Sequence, residues 1–123
     1  MTNSLHREHN YSMTKIQRYQ YSANSFSHNE ISAAEVQNIS EEKKNQVTWV
    51  RVEGPLEESI VKQISHIFNI YDLHIDDVLS IGQRPKLDYG DDYIFFSLQI
   101  SELTNLENKL KMELNHISFF LKN

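Results

Sequence analysis

Between Ile70 and Phe95 the chain carries six aspartates, Asp72, Asp76, Asp77, Asp88, Asp91 and Asp92, against Arg84 and Lys86. Six negative charges set against two positive ones account for −4 of the formal charge of −5. Short carboxylates at this density are hard oxygen donors, suited to a hard divalent cation or a basic partner. Nucleic acid and acidic membrane surfaces are disfavoured by the same balance, since no basic stripe runs along the chain. Asp76 and Asp77 lie adjacent on one short helical stretch, and on pattern alone they read as a solvated helix face. His74 beside them adds a nitrogen that suits a softer metal such as zinc or cobalt, against the plainer reading of a surface histidine.

The elements that must position these residues follow from local pattern. Asp72 is placed to cap a helix running to Leu79 or Ser80. At ~100° per residue, Ile75, Val78 and Leu79 gather on one side and Asp76, Asp77 and Ser80 on the other. Both carboxylates are therefore expected to point away from the helix's own core. Pro85 pushes Arg84 into an extended conformation, so the helix cannot continue there. Arg84 is expected to pair with the acidic cluster around Asp88, Asp91 and Asp92 rather than to clamp a phosphate. Residues 93–101 then alternate as a strand, with Ile94, Phe96, Leu98 and Ile100 on one face and Tyr93, Phe95, Ser97 and Gln99 on the other. A turn over residues 104–108 leads to a second strand whose apolar phase flips after Asn115, which predicts a β-bulge near Asn115 or His116.

Upstream, residues 1–14 are polar and aperiodic and read as a flexible tail. His6 and His9 have a spacing that one zinc could share, but no third ligand stands nearby. Residues 15–23 and 26–31 read as paired strands, and Ser32 with Glu35 forms a capping box opening a helix that ends near residues 42–44. Residues 47–53, VTWVRVE, are a β-branched and aromatic strand, with Trp49 expected in the core. Gly54-Pro55 ends it and starts a helix whose Ile60, Ile64, Ile67 and Phe68 form one apolar stripe, with Asn69 as the stop. Strands and helices intersperse, so the fold class is α/β (α+β): a mixed β-sheet with packed helices.

The 123-residue length fits one domain, residues 15–123, and 39% hydrophobic content is ordinary for a globular chain. There is no cysteine, hence no disulfide framework and no thiolate site. No apolar run has the ~18 residues of a membrane helix, and the N-terminus lacks the apolar core of a signal peptide. An enzyme is not indicated: three glycines make no phosphate loop, and no serine elbow is present. Adjacent carboxylates on one helix do not flank a substrate as an acid/base pair does.

Several motifs, in order and in register, resemble the CorA family of magnesium and cobalt transporters. Val47-Thr48-Trp49-Val50 leading to Gly54 is similar to that family's VTW strand, and Phe68-Asn69-Ile70-Tyr71-Asp72 to its FGIHP turn. Ile75-Asp76-Asp77-Val78-Leu79 resembles LEDIL, and Gln83-Arg84-Pro85-Lys86 its QRPK. Asp91-Asp92-Tyr93-Ile94-Phe95 matches the acidic-Tyr-x-Phe strand start, and residues 116–123 the strand that precedes a further one. The resemblance implies the N-terminal domain at the cytoplasmic face of the inner membrane, incomplete at its C-terminus, with the stalk and membrane helices beyond residue 123. It implies a homopentamer in the whole protein, and a regulatory Mg2+ (or Co2+, or Zn2+) site between subunits at Asp77, assisted by Asp76, weak or absent in this piece alone. A monomer–dimer mixture is expected for the piece, because its last strand leaves an open sheet edge. The alternatives are a free-standing interaction module with the same fold, or the zinc-transporting branch of the superfamily.

Overall fold

The computed structural model describes residues 13–39, 45–80 and 84–122. The His6–His9 pair, the end of the helix expected at residues 42–44, and Gln83 lie outside them. The chain divides into two compact units, Met1–Ile70 and Tyr71–Asn123. The class is α+β, with two three-stranded sheets, both antiparallel, and a few short helices.

In the first unit β1 (Lys15–Tyr21) lies between β2 (Phe26–Ile31) and β3 (Val47–Glu53). β1 stops at Tyr21 rather than at residue 23 because the Ser22 amide closes a turn on the Ser25 carbonyl at 2.9 Å. The Ser32–Glu35 capping box forms: each backbone N–H meets the other residue's side-chain oxygen at 3.3 Å. It opens a 3-10 helix, Ala34–Ile39, rather than an α-helix. α1 (Glu58–Ile67) starts three residues after Pro55, so the proline stands in the lead-in rather than in the first turn. Its end is a Schellman motif: Ile70 N–H reaches the Ser65 carbonyl at 2.9 Å and Asn69 N–H that of His66 at 3.2 Å. Asn69 sits at φ 57°, the left-handed conformation this motif requires and asparagine tolerates.

The stripe on α1 does pack as its spacing predicts. Ile64 joins Ile16, Ile31, Val36 and Ile39 in the core, with Ile60, Ile67, Phe68, Val50 and Val52 against it. Each of the five buried side chains contributes roughly 1.5–3 kcal/mol by leaving water, and the partly buried ones less. Because Val50 and Val52 face this core, the odd-numbered positions of β3 face out. Trp49 is accordingly 55% exposed, not a core residue. It stands in a row with Tyr19 and His28, whose rings stack at 4.2 Å, beside a row of exposed Phe26, Tyr21 and Val47.

In the second unit α2 (Asp72–Leu79) precedes β4 (Lys86–Tyr89), β5 (Tyr93–Leu106) and β6 (Lys109–Lys122), with β5 central. The N-cap of α2 is Tyr71, in extended conformation and without a side-chain cap, so Asp72 is the first helical residue and not the cap. β5 and β6 pair one-to-one from Tyr93↔Lys122 to Leu106↔Lys109, with no bulge at Asn115 or His116. The turn shrinks to Glu107-Asn108, both at positive φ (52° and 63°), as a two-residue hairpin of type I′ demands. The flip in apolar phase is therefore a change of face, not of register. Leu98, Ile100 and Ile117 lie on one side of the ladder, while Leu103, Leu110, Met112 and Leu114 lie on the other.

Candidate cation site

α2 lies on the sheet face that carries Tyr93 and Phe95. The His74 ring sits 4.9 Å from that of Phe95 and 5.5 Å, edge-on, from that of Tyr93. Its buried residues are His74, Ile75 and Asp77. Around the helix, at ~100° per residue, these and Val78 form one continuous arc running Asp77, His74, Val78, Ile75. Asp76 and Leu73 fall on the exposed side. The two acidic candidates therefore part company: Asp76 is exposed, as expected, whereas Asp77 faces its own fold with only 7% of the residue exposed.

Asp77 Oδ2 accepts a hydrogen bond from Lys86 Nζ at 2.7 Å. Lys86 opens β4, so this ion pair ties helix to sheet. That hydrogen bond, with the nearby charges of Asp77 and Asp88, holds the ammonium above the ordinary lysine range. Arg84, expected to engage the acidic cluster, lies exposed, whereas Lys86 pairs with Asp77 of the helix.

His74 is neither a surface residue nor poised for metal: it is 1% exposed and satisfied at both ring nitrogens. Tyr93 Oη accepts the Tyr71 N–H at 3.1 Å, which frees the tyrosine hydrogen to be donated to His74 Nδ1 at 2.6 Å. His74 Nε2–H then donates to Asp88 Oδ2 at 2.9 Å. The neutral Nε2–H tautomer satisfies every group in this chain. An imidazolium would require Tyr93 to accept twice and find another acceptor for its own hydrogen. The hydrogen bond from His74, and then that from the Tyr89 N–H, hold the Asp88 carboxyl below the usual aspartate value. Gly90, in the turn before β5, makes room for this network, since a Cβ there would overlap the Tyr93 ring.

The remaining acidic residues also resolve into separate contacts. Asp92 pairs with Lys122 at 3.0 Å, and a hydrogen bond to Asp91 raises the Tyr71 hydroxyl above the usual tyrosine range. Among the described residues no three of His, Cys, Asp and Glu assemble as a metal-binding group. No helix among them is long and apolar enough to cross a membrane. The sequence reading missed the His74–Tyr93–Asp88 chain; its one signal was a strand face, Tyr93-Phe95-Ser97, as eligible for burial as its apolar opposite.

No family model matches the chain. It is similar to the cobalt/magnesium transport protein CorA of Thermotoga maritima, 28% identical over 74 residues, which is 60% of this chain. The chain spans about a fifth of that relative's length, 20% being covered.

Proposed function

We propose that the chain is a cytoplasmic regulatory domain of a CorA-like divalent-cation transporter, contributing subunit contacts and a cation contact at Asp77 and Asp76. The observation that carries this reading is the 74-residue similarity to CorA of Thermotoga maritima. The donor chemistry supports it in part. Asp77 is a largely buried hard-oxygen donor already facing a positive charge, with the Lys86 ammonium standing at 2.7 Å where a cation's charge would belong. Asp76 offers a second, exposed carboxylate about a quarter-turn away around the helix. One chain thus supplies one or two ligands, fewer than an octahedral ion accepts, and water or a neighbouring subunit would supply the rest. When bound, Mg2+ or Co2+ would neutralise carboxylates that otherwise repel across a subunit contact. The fold's contribution is to hold Asp77 still, through Lys86 and the α2–sheet packing, while Asp76 faces outward.

Isothermal titration with Mg2+ and Co2+ tests the site. Binding is expected to be weak, on the order of millimolar, and to be lost in Asp77→Asn and weakened in Asp76→Asn. Identical isotherms for the native chain and both variants would refute the assignment. A second reading, a free-standing interaction module, is favoured by the open aromatic face of Trp49, Tyr21 and Phe26.

A further inference from the structure

We propose that this chain pairs with a second copy of itself through the outer edge of β6, as a two-fold antiparallel ladder centred on Met112. The contact needs no metal and stands apart from the cation reading above. β6 ends its sheet, and among the described residues no strand pairs with its outer side. Beyond β4, which reaches only to Ser97 of β5, the hairpin continues as a ribbon of two strands. From residue 98 to 115 every residue of that ribbon except Thr104 is exposed. Two strands alone are marginal in water, and an open edge is a template for another strand. Natural edges are blunted by proline, by a bulge or by charge. Here the two prolines lie elsewhere, at Pro55 and Pro85, and the β5–β6 register runs without a bulge.

Charge is the remaining guard, and one register matches it. In a two-residue hairpin the flanking pair, Leu106 and Lys109, is hydrogen-bonded, so Lys109, Lys111, Glu113 and Asn115 turn their backbone groups toward β5. Leu110, Met112 and Leu114 therefore turn theirs outward. Their side chains are 77%, 64% and 63% exposed, so pairing here also removes apolar surface from water. A two-fold axis through Met112 sets Leu110 opposite the partner's Leu114 and Lys111 opposite the partner's Glu113. Lys111 and Glu113 already pair within the chain at 3.2 Å, so two copies complete a ring of four charges alternating in sign. Neighbouring registers lack this. A centre at residue 111 or 113 sets Lys111 or Glu113 against itself, and a centre at residue 110 sets Lys109 against Lys111. The exposed part of β5 has Glu102 as its one charge, so its outer edge selects no register in this way.

Sedimentation equilibrium of the full chain in EDTA, over a concentration series, tests this. The native chain should dimerise weakly, with Kd on the order of 10–100 µM for so small an interface. Lys111→Glu and Glu113→Lys each set like charges opposite one another and should weaken the dimer at least about tenfold. Mixed in equal amounts, these two variants complement each other and should associate as tightly as the native chain. Both positions are exposed, so circular dichroism of either variant should match the native chain. The register is read from single cysteines, since the chain has none of its own. A short bifunctional thiol reagent should join Met112→Cys to its own copy, whereas Leu110→Cys, roughly 13 Å from its counterpart at 3.3–3.4 Å per residue, should resist it. A native chain that stays monomeric at about 1 mM overturns the proposal, as does a dimer indifferent to both charge reversals and to their mixing. Cross-linking that favours Leu103→Cys over Met112→Cys would move the contact to the outer edge of β5 and overturns it as well.

Discussion

Replacing Tyr93 by phenylalanine removes one oxygen and exposes how the second unit is held together. That oxygen accepts the Tyr71 N–H at 3.1 Å and serves His74 Nδ1 at 2.6 Å. In Tyr93→Phe the ring packing remains, but His74 Nδ1 keeps no donor in a position 1% exposed to water. An unsatisfied buried group costs about 1–3 kcal/mol, and the Tyr71 amide, at a partly open helix start, falls at the lower end. The total is about 2–4 kcal/mol, a large share of a typical domain stability of roughly 5–15 kcal/mol. At about 4 °C per kcal/mol for a chain of this size, Tm should fall by about 8–16 °C. Asp88→Asn is the control, because an amide oxygen still accepts the Nε2–H of neutral His74; its cost at pH 7 should be clearly smaller than that of Tyr93→Phe. Urea unfolding followed by far-UV circular dichroism measures both, and side-chain 15N shifts of His74 report the tautomer. A larger loss in Asp88→Asn than in Tyr93→Phe, with an imidazolium signature, would refute the neutral relay.

Three further outcomes follow from the same geometry. Trp49, the only tryptophan and 55% exposed, should emit like a solvated indole and be quenched readily by acrylamide; a blue-shifted, protected signal would place it in the core instead. Asp88 is depressed below its ordinary 3.8, so its stabilisation is present above that value and lost as pH falls through the lower folded value. An acid titration of native chain and Asp88→Asn should therefore diverge above pH 3.8 and converge at more acidic pH. Lys86, being raised, contributes below its ordinary 10.5 and loses that contribution as pH climbs past the folded value. Alkaline unfolding should consequently come earlier in the native chain than in Lys86→Arg.

Much of the fold was legible from short-range pattern. The β-branched run Val47–Glu53 and the hairpin partner Phe26–Ile31 fall where their composition places them. The capping box and the stop at Asn69 follow from side-chain chemistry confined to a few residues. The failures share a cause: which face an element buries depends on what packs against it. In β3 both alternating sets include apolar residues, and the core took Val50 and Val52, leaving Trp49 outside. In α2 the apolar residues alone centre the buried face near Ile75 and Leu79. The core instead takes in His74, because Tyr93 and Asp88 satisfy its ring, and that rotation carries Asp77 inward to Lys86. The β5–β6 hairpin misled differently. A change of apolar phase implies an extra residue in the pattern alone, but the ladder exchanges its apolar side along an unbroken register.

The cation contact on α2 is the central claim, and paramagnetic relaxation with Mn2+, a hard divalent stand-in for Mg2+, tests it most directly. With the chain at neutral pH, amide signals of Asp76, Asp77, Ser80 and Lys86 should broaden first and recover when excess Mg2+ is added. Earlier or equal broadening at Asp91 and Asp92, or at Glu57 and Glu58, would show a diffuse attraction to acidic surface and contradict a site on this helix.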